Sequence, residues 1–383
     1  MKICAIICEY NPFHNGHQYL IEQAKQQTNC DAILCLMSGN FVQRGEAAIL
    51  NKFERAKHAV LCGADAVLEL PCVFATSNAE IFARGAIALL SKIPEVTHLC
   101  FGTEHDEKEA FLFAANCLMR EPQEISEHVK QLLDAGIGYA QAIATAREKI
   151  VNASLFSSPN NILGIESTKA ILQSGASMEI IPIKRKGNDY HDETLAVEYS
   201  SATAIRKAIF TQTTADIKTN IPGHVLQSLP NCKTINLDPY EKLAILQKSP
   251  DEIAKVLDCT EGLENGFIKA AQKTEPLVTA LTSPRYTSAR IRRIALQNLL
   301  GIHEKFIREC LEQPLYLTPL SYKKERTDLL SALSRATIPF LSSGKALRQL
   351  SPTAAACKQI DEYSETLYSL FSQTEISNKA ILL

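Results

Sequence analysis

Four short, nearly continuous apolar runs, at residues 3–8, 32–37, 66–70 and 98–101, constrain this chain more than any other feature. Unbroken Val/Ile/Leu/Cys content, without apolar–polar alternation, is expected of strands covered on both faces. Residues 17–27, 52–62 and 79–90 between these runs carry a helical pattern. Strands alternating with helices at this spacing predict βαβ units and a parallel sheet with helices on both sides. In such sheets the ligand crevice lies beyond the carboxyl ends of the strands. The first, second and fourth runs all end in polar, Gly-containing loops, at residues 11–16, 38–45 and 102–105.

Residues 107–150 read as mainly helical. Ser158-Pro159-Asn160-Asn161 opens a further helix, with Pro and Asn as start signals. Residues 178–183 read as a late strand leading into Lys184, Arg185 and Lys186, and residues 201–209 as a helix capped by a hydroxyl. Past about residue 215 strand signals fade, and residues 240–246, 251–257, 262–272, 288–300 and 304–311 read as helices. A Thr-rich polar stretch at 211–222 marks the expected boundary between an α/β domain over 1–210 and a mainly helical region over 220–383. Two units suit 383 residues.

A formal net charge of −2 leaves any nucleic-acid surface to be local. No apolar window reaches membrane-span length, and the apolar start is too short for a signal peptide, so no membrane partner is expected. The 12 cysteines are scattered without a Cys-x-x-Cys pair. They read as buried thiols in a reducing compartment, the cytoplasm, and not as a zinc site.

His14-Asn15-Gly16-His17 falls between the first strand and the first helix. There a helix N-terminus offers free amides and a positive dipole end. Gly16 allows close backbone approach, and two imidazoles add donors for charge developing on a phosphoryl group. The second signal is Ser201-Ala202-Thr203-Ala204-Ile205-Arg206: hydroxyls at a helix start and an Arg one turn in, suited to phosphates or to plain capping. Arg185 at a strand end suits phosphate or carboxylate, or a solvated basic patch.

These motifs resemble the His-x-Gly-His nucleotidyltransferase superfamily. Three longer strings narrow the likeness: Glu9-Tyr10-Asn11-Pro12-Phe13-His14-Asn15-Gly16-His17, Met37-Ser38-Gly39-Asn40-Phe41-Val42-Gln43-Arg44-Gly45-Glu46, and Ser158-Pro159-Asn160-Asn161-Ile162-Leu163-Gly164. With residues 201–206 they resemble the bacterial tRNA(Met) cytidine acetate ligases, strongly over about the first 210 residues. The second motif departs from the superfamily's usual Ile-Ser-Ser-Thr-x-Ile-Arg form at Ser200 and Ala202.

The resemblance implies a Rossmann-like nucleotidyltransferase domain followed by a helical, tRNA-holding region. It implies a ligase that converts ATP and acetate to acetyl-adenylate and pyrophosphate, then acetylates N4 of the wobble cytidine of elongator tRNA(Met). By motif, the ATP site would comprise Cys8, Glu9, Tyr10, Asn11, Pro12, Phe13, His14, Asn15, Gly16, His17, Gln18, Tyr19, Leu20, Gly102, Asn160 and Arg185, with Ser201, Thr203 and Arg206 on the outer phosphates. His14 and His17 would steady the α-phosphate, and Mg²⁺ would ride mainly on the phosphates, since no protein metal site is evident. Ser38, Gly39, Asn40 and Gln43 are assigned to the second substrate, with Arg44 as a catalytic partner for carboxylate or RNA phosphate.

Arg285, Arg290, Arg292 and Arg293, with Tyr286 among them, form the densest basic stretch and the RNA-binding candidate; the same pattern suits a solvated helix face. Lys323, Lys324 and Arg326 form a weaker candidate. No protein partner is implied. Two rivals stand beside this reading: an adenylyltransferase for a small phosphorylated substrate, and a non-catalytic RNA-binding protein on the same fold.

Overall fold

The computed structural model describes residues 1–120, 123–137, 142–143, 145, 153–156, 158–186, 198–211, 214–313, 315–375 and 380–383. Parts of the helical stretch expected over 107–150 and of the boundary expected at 211–222 lie outside the described residues. Counting helices of eight or more residues, the first part of the chain runs β1 (Ile3–Cys8), α1 (Asn15–Thr28), β2 (Ala32–Ser38), β3 (Phe41–Val42), β4 (Glu46–Ala47), α2 (Lys52–Leu61), β5 (Ala66–Leu70), α3 (Ala79–Leu90), β6 (Val96–Thr103), α4 (Lys108–Arg120), α5 (Gln123–Asp134), α6 (Pro159–Ser174), β7 (Glu179–Lys184) and α7 (Ala202–Phe210). The remainder runs α8 (Asp238–Leu246), α9 (Leu263–Ala271), α10 (Ser288–Leu300), α11 (Glu304–Glu312), β8 (Thr318–Tyr322), α12 (Thr327–Ser334), α13 (Pro352–Ser372) and β9 (Ile381–Leu382).

The sheet has seven strands in the order β7-β6-β1-β2-β5-β8-β9. β1 pairs in parallel with β2 and β6, β2 with β5, and β6 with β7. The order reverses direction at β1, so the crevice between the ends of β1 and β6 is a topological switch point, where such folds bind ligands. Alternate residues of β1 feed opposite layers: Ile3 and Ala5 join one apolar cluster, Cys4 and Ile6 the other. A third cluster, including Ile253, Phe267, Leu277 and Ile291, holds the C-terminal helices together. All 12 cysteines are free thiols, and nine are buried, including Cys4 and Cys35 in the strands.

One expectation needs correction. Strand pairing does not end near residue 215: β8 adds antiparallel to β5, with Val67 opposite Ser321, and β9 follows it. β8 is Thr-Pro-Leu-Ser-Tyr, too short and polar to give an apolar-run signal. Helix α13 returns to the segment after β5, where Asp361 accepts from the Cys72 amide at 2.8 Å and the Tyr316 hydroxyl at 2.6 Å. Among the described residues, no helix is long and apolar enough to cross a membrane.

Candidate active site

A cavity of about 430 Å³ opens at the switch point. Its first wall is the turn from β1 into α1. His14 is the N-cap of α1, and its Nδ1 accepts the Gly16 amide at 3.1 Å. His17 returns the bond, its Nδ1 accepting the His14 amide at 3.2 Å. An imidazole accepting at Nδ1 and neutral overall carries its proton on Nε2. Burial keeps both rings neutral: it drives His14 down to about 3, with Arg185 and Arg206 adding repulsion, and lowers His17 well below its ordinary range. The rings stack at 3.6 Å. They are paired neutral donors lining the cavity. Gly16 also serves the cap: a Cβ there would lie 3.0 Å from the His14 ring, so glycine leaves room for the capping imidazole.

The second wall comes from β6, β7 and the two later helix starts. Gly102 lies against Arg185 and Leu20: a Cβ there would sit 3.5 Å from the Arg185 side chain. Asn160, in the first turn of α6, donates to Glu104 at 3.0 Å. Asn161, read from the sequence only as a helix-start signal, is fully buried and accepts from the Glu104 amide at 3.1 Å, pinning the loop after β6. The Arg185 amide donates to Thr103 at 2.9 Å, and Lys186 lies 4.4 Å over the Tyr19 ring. Ser201 caps α7 by accepting from the Ala204 amide. Arg206 spends two donors on the protein, to the Asn11 carbonyl at 2.7 Å and the Thr203 hydroxyl at 3.2 Å. The bond to Asn11 locks the second motif to the first, and a guanidinium has five donors in all.

The third wall is the β3–β4 hairpin, which brings Gln43, Arg44 and Glu46 to the cavity. Gln43 donates its amide to Glu9 at 2.8 Å. Glu46 pairs with Arg292 of α10 at 2.8 Å, and Ser288, Ala289 and Arg292 all line the cavity. Tyr199, Ser200 and Lys186 also line it, beyond the site residues expected from the motifs.

Not every expected residue reaches the cavity wall. From the first loop, Pro12, Phe13, Asn15 and Gln18 do not line it. Phe13 is buried in the core, Asn15 donates to the Thr219 and Glu198 carbonyls, and Gln18 pairs with Glu22 outside. Ser38, Gly39 and Asn40, expected at the second substrate, are not at the wall either. The Ser38 and Gly39 carbonyls accept from fully buried Arg55, and Asn40 accepts the Lys52 amide at 2.8 Å. The expected basic face of α10 is dispersed. Arg285 pairs with Glu261 at 2.9 Å, and Arg290 and Arg293 both turn to Asp258, one to its carbonyl and one to its carboxylate. Lys323 and Arg326 are likewise taken up by buried Asp65, each at 2.9 Å.

Among the described residues, no group of three or more His, Cys, Asp or Glu is placed to hold a metal ion. The acids lining the cavity are Glu9 and Glu46, and Glu46 already faces a guanidinium. This donor set does not form a protein-built Mg²⁺ site.

The family model for HIGH Nucleotidyl Transferases matches residues 1–381 of the chain. A tRNA(Met) cytidine acetate ligase of Thermoanaerobacter sp. is 37% identical over 348 residues, 88% of this chain and 86% of the relative. Another, from Acetivibrio thermocellus, is 33% identical over 408 residues, 99% of this chain and 97% of the relative. The crystal structure of apo Thermotoga maritima TmcAL superposes with a TM-score of 0.91 at 28% identity, covering 100% of both chains. The same protein bound with α-thio ATP superposes at 0.88 and 27%.

Proposed function

The chain belongs to the tRNA(Met) cytidine acetate ligases, within the HIGH nucleotidyl transferases, and from that premise we propose that it activates acetate with ATP and acetylates N4 of the wobble cytidine of elongator tRNA(Met). One observation carries the chemistry: two neutral, Nε2-protonated histidines at the start of a helix, at the switch point of a parallel sheet. Nδ1 of each ring is committed to the backbone, so each Nε2–H is a fixed donor. Fixed donors favour charge developing on an α-phosphate without reorganising during reaction.

In this reading the nucleoside end of ATP lies toward Gly102 and Asn160, and the α-phosphate lies at His14, His17 and the amides opening α1. Arg185, Arg206 and the α7 start face the departing pyrophosphate. Arg44, beside Gln43 on the hairpin, holds the acetate carboxylate in line with the α-phosphate; the second-substrate assignment contracts to these two. Positioning two substrates in one geometry supplies much of the rate effect. Mg²⁺ would arrive on the nucleotide's phosphates. The RNA enters from the side of α10, whose first turn forms the rim. The reading also puts the protein in the cytoplasm, with its RNA substrate.

Pyrophosphate exchange into ATP tests this directly. Exchange that requires acetate, together with acetyl transfer to unmodified tRNA(Met), is the expected outcome. ATP binding without exchange for any small carboxylate would overturn it.

A further inference from the structure

Building on the proposed acetyl transfer, we infer that the Glu9 carboxylate is the general base of the second step. In that step the cytidine amine attacks the acetyl carbonyl carbon of acetyl-adenylate. A C–N bond forms, the C–O bond to phosphate breaks, and AMP leaves with that electron pair. One N–H proton must then pass to a base, and an exocyclic aromatic amine is too weak a nucleophile to do without one.

The geometry removes the obvious candidates. His14 and His17 each accept a backbone amide at Nδ1, at 3.1 and 3.2 Å, so their Nε2 atoms already carry the protons. The Cys8 thiol and the phenols of Tyr10 and Tyr199 are all held on the protonated side by burial. Lys186 is turned over the Tyr19 ring at 4.4 Å. Among the described residues lining the cavity, two carboxylates remain, and Glu46 is bound to Arg292 at 2.8 Å.

Glu9 is fixed at both ends. Its backbone carbonyl accepts from the buried Arg55 guanidinium, and its Oε1 accepts the Gln43 amide at 2.8 Å. A carboxylate has about four lone-pair sites, so one backbone bond leaves room for a proton. Gln43 adjoins Arg44, so the same bond places Glu9 beside the hairpin proposed to hold the acyl group. The charged groups facing Glu9 are Arg206, Arg44 and Arg55; they favour its anion, while burial opposes it and raises its proton affinity. Once protonated, Glu9 returns the proton to solvent as AMP and acetylated RNA depart.

The test reads the two half-reactions of the full-length protein separately: acetate-dependent pyrophosphate exchange, and single-turnover transfer from preformed acetyl-adenylate to unmodified tRNA(Met). Glu9→Gln keeps an oxygen for the Gln43 amide. It is expected to lower transfer by about 10²–10⁴-fold, the usual worth of a general base, and to lower exchange by less than about tenfold. Transfer within about threefold of wild type, or an equal fall in both half-reactions, overturns the inference. Should Glu9→Gln not fold, Glu9→Asp reads the same ratio. A transfer-to-exchange ratio lowered at least about tenfold supports the base, and an unchanged ratio removes it. Wild-type protein without acetate-dependent exchange would refute the underlying function, and this inference with it.

Discussion

His14 performs two tasks that substitution can separate. It caps α1 through Nδ1, and by our reading donates to the α-phosphate through Nε2–H. Asparagine is a good N-cap and can accept the Gly16 amide, but it cannot present the imidazole's second nitrogen. His14→Asn is therefore expected to fold while exchange falls by about 10²–10³-fold, the worth of one preorganised donor. Exchange close to wild type would remove His14 from the chemistry. The same residue makes stability depend on acid. Burial holds folded His14 down to about 3, against about 6.5 in an unfolded chain. The unfolded chain binds more protons between those values, so this contribution is fully present above about pH 6.5 and is lost as pH falls toward 3. Below pH 6, unfolding midpoints of wild type should fall more steeply than those of His14→Asn. The sequence made the identity of these residues plain, but not the mutual capping. That depends on side-chain rotamers a motif string does not encode, and so does the crowding that a Cβ at Gly16 would meet at the His14 ring.

The hairpin β3–β4 is the least legible element of the site. Two residues per strand give no periodicity, and the segment reads as a loop. Its placement depends on α10, far along the chain, through the Glu46–Arg292 pair, and no local pattern reports so non-local a contact. Gly45 has φ +74°, and a Cβ there would lie 2.5 Å from the Arg293 amide. The hairpin tip thus packs backbone to backbone on α10, with Glu46–Arg292 closing the contact. Gly45→Ala must rotate or lift the tip, at a cost of about 1–3 kcal/mol for the disfavoured conformation alone. Because Arg44 moves with the tip, the expected result is a KM for acetate raised more than the KM for ATP, in exchange kinetics, with a lower unfolding midpoint. Equal effects on both KM values would separate Arg44 from the carboxylate. The partners of the arginines at 285–293 are hidden from the sequence for a related reason. The spacing of the arginines along the chain is visible, but the partners Asp258, Glu46 and Glu261 that take them up come from other elements.

At the scale of the whole molecule, the alternation of apolar runs and helices made the parallel half of the sheet readable, while β8, β9 and α13 closed it unannounced. The expected division at 210–220 is thus a change in composition that the sheet crosses: β8 covers the edge of β5, and α13 supplies a buried charge. Lys52 contacts Glu69 at 2.8 Å and Glu365 of α13 at 2.9 Å, all three nearly inaccessible to solvent. The two carboxylates hold the buried ammonium in its charged form despite desolvation. A buried cation shared by two anions cannot lose its partners cheaply. Lys52→Met leaves two carboxylates facing each other and is expected to cost about 3–5 kcal/mol, whereas Glu365→Gln, which keeps an oxygen and one full ion pair, costs less. We propose on the same ground that residues 1–210 do not fold alone: removing the rest exposes the β5 edge, an invitation to aggregation, and strands Lys52 and Glu69 without their third partner. Denaturant unfolding of Lys52→Met and Glu365→Gln, beside soluble expression of residues 1–210, checks both statements. A truncated chain that unfolds cooperatively with native-like stability would show that the catalytic half is independent. In that case the buried ion cluster would be a docking contact and not part of the core.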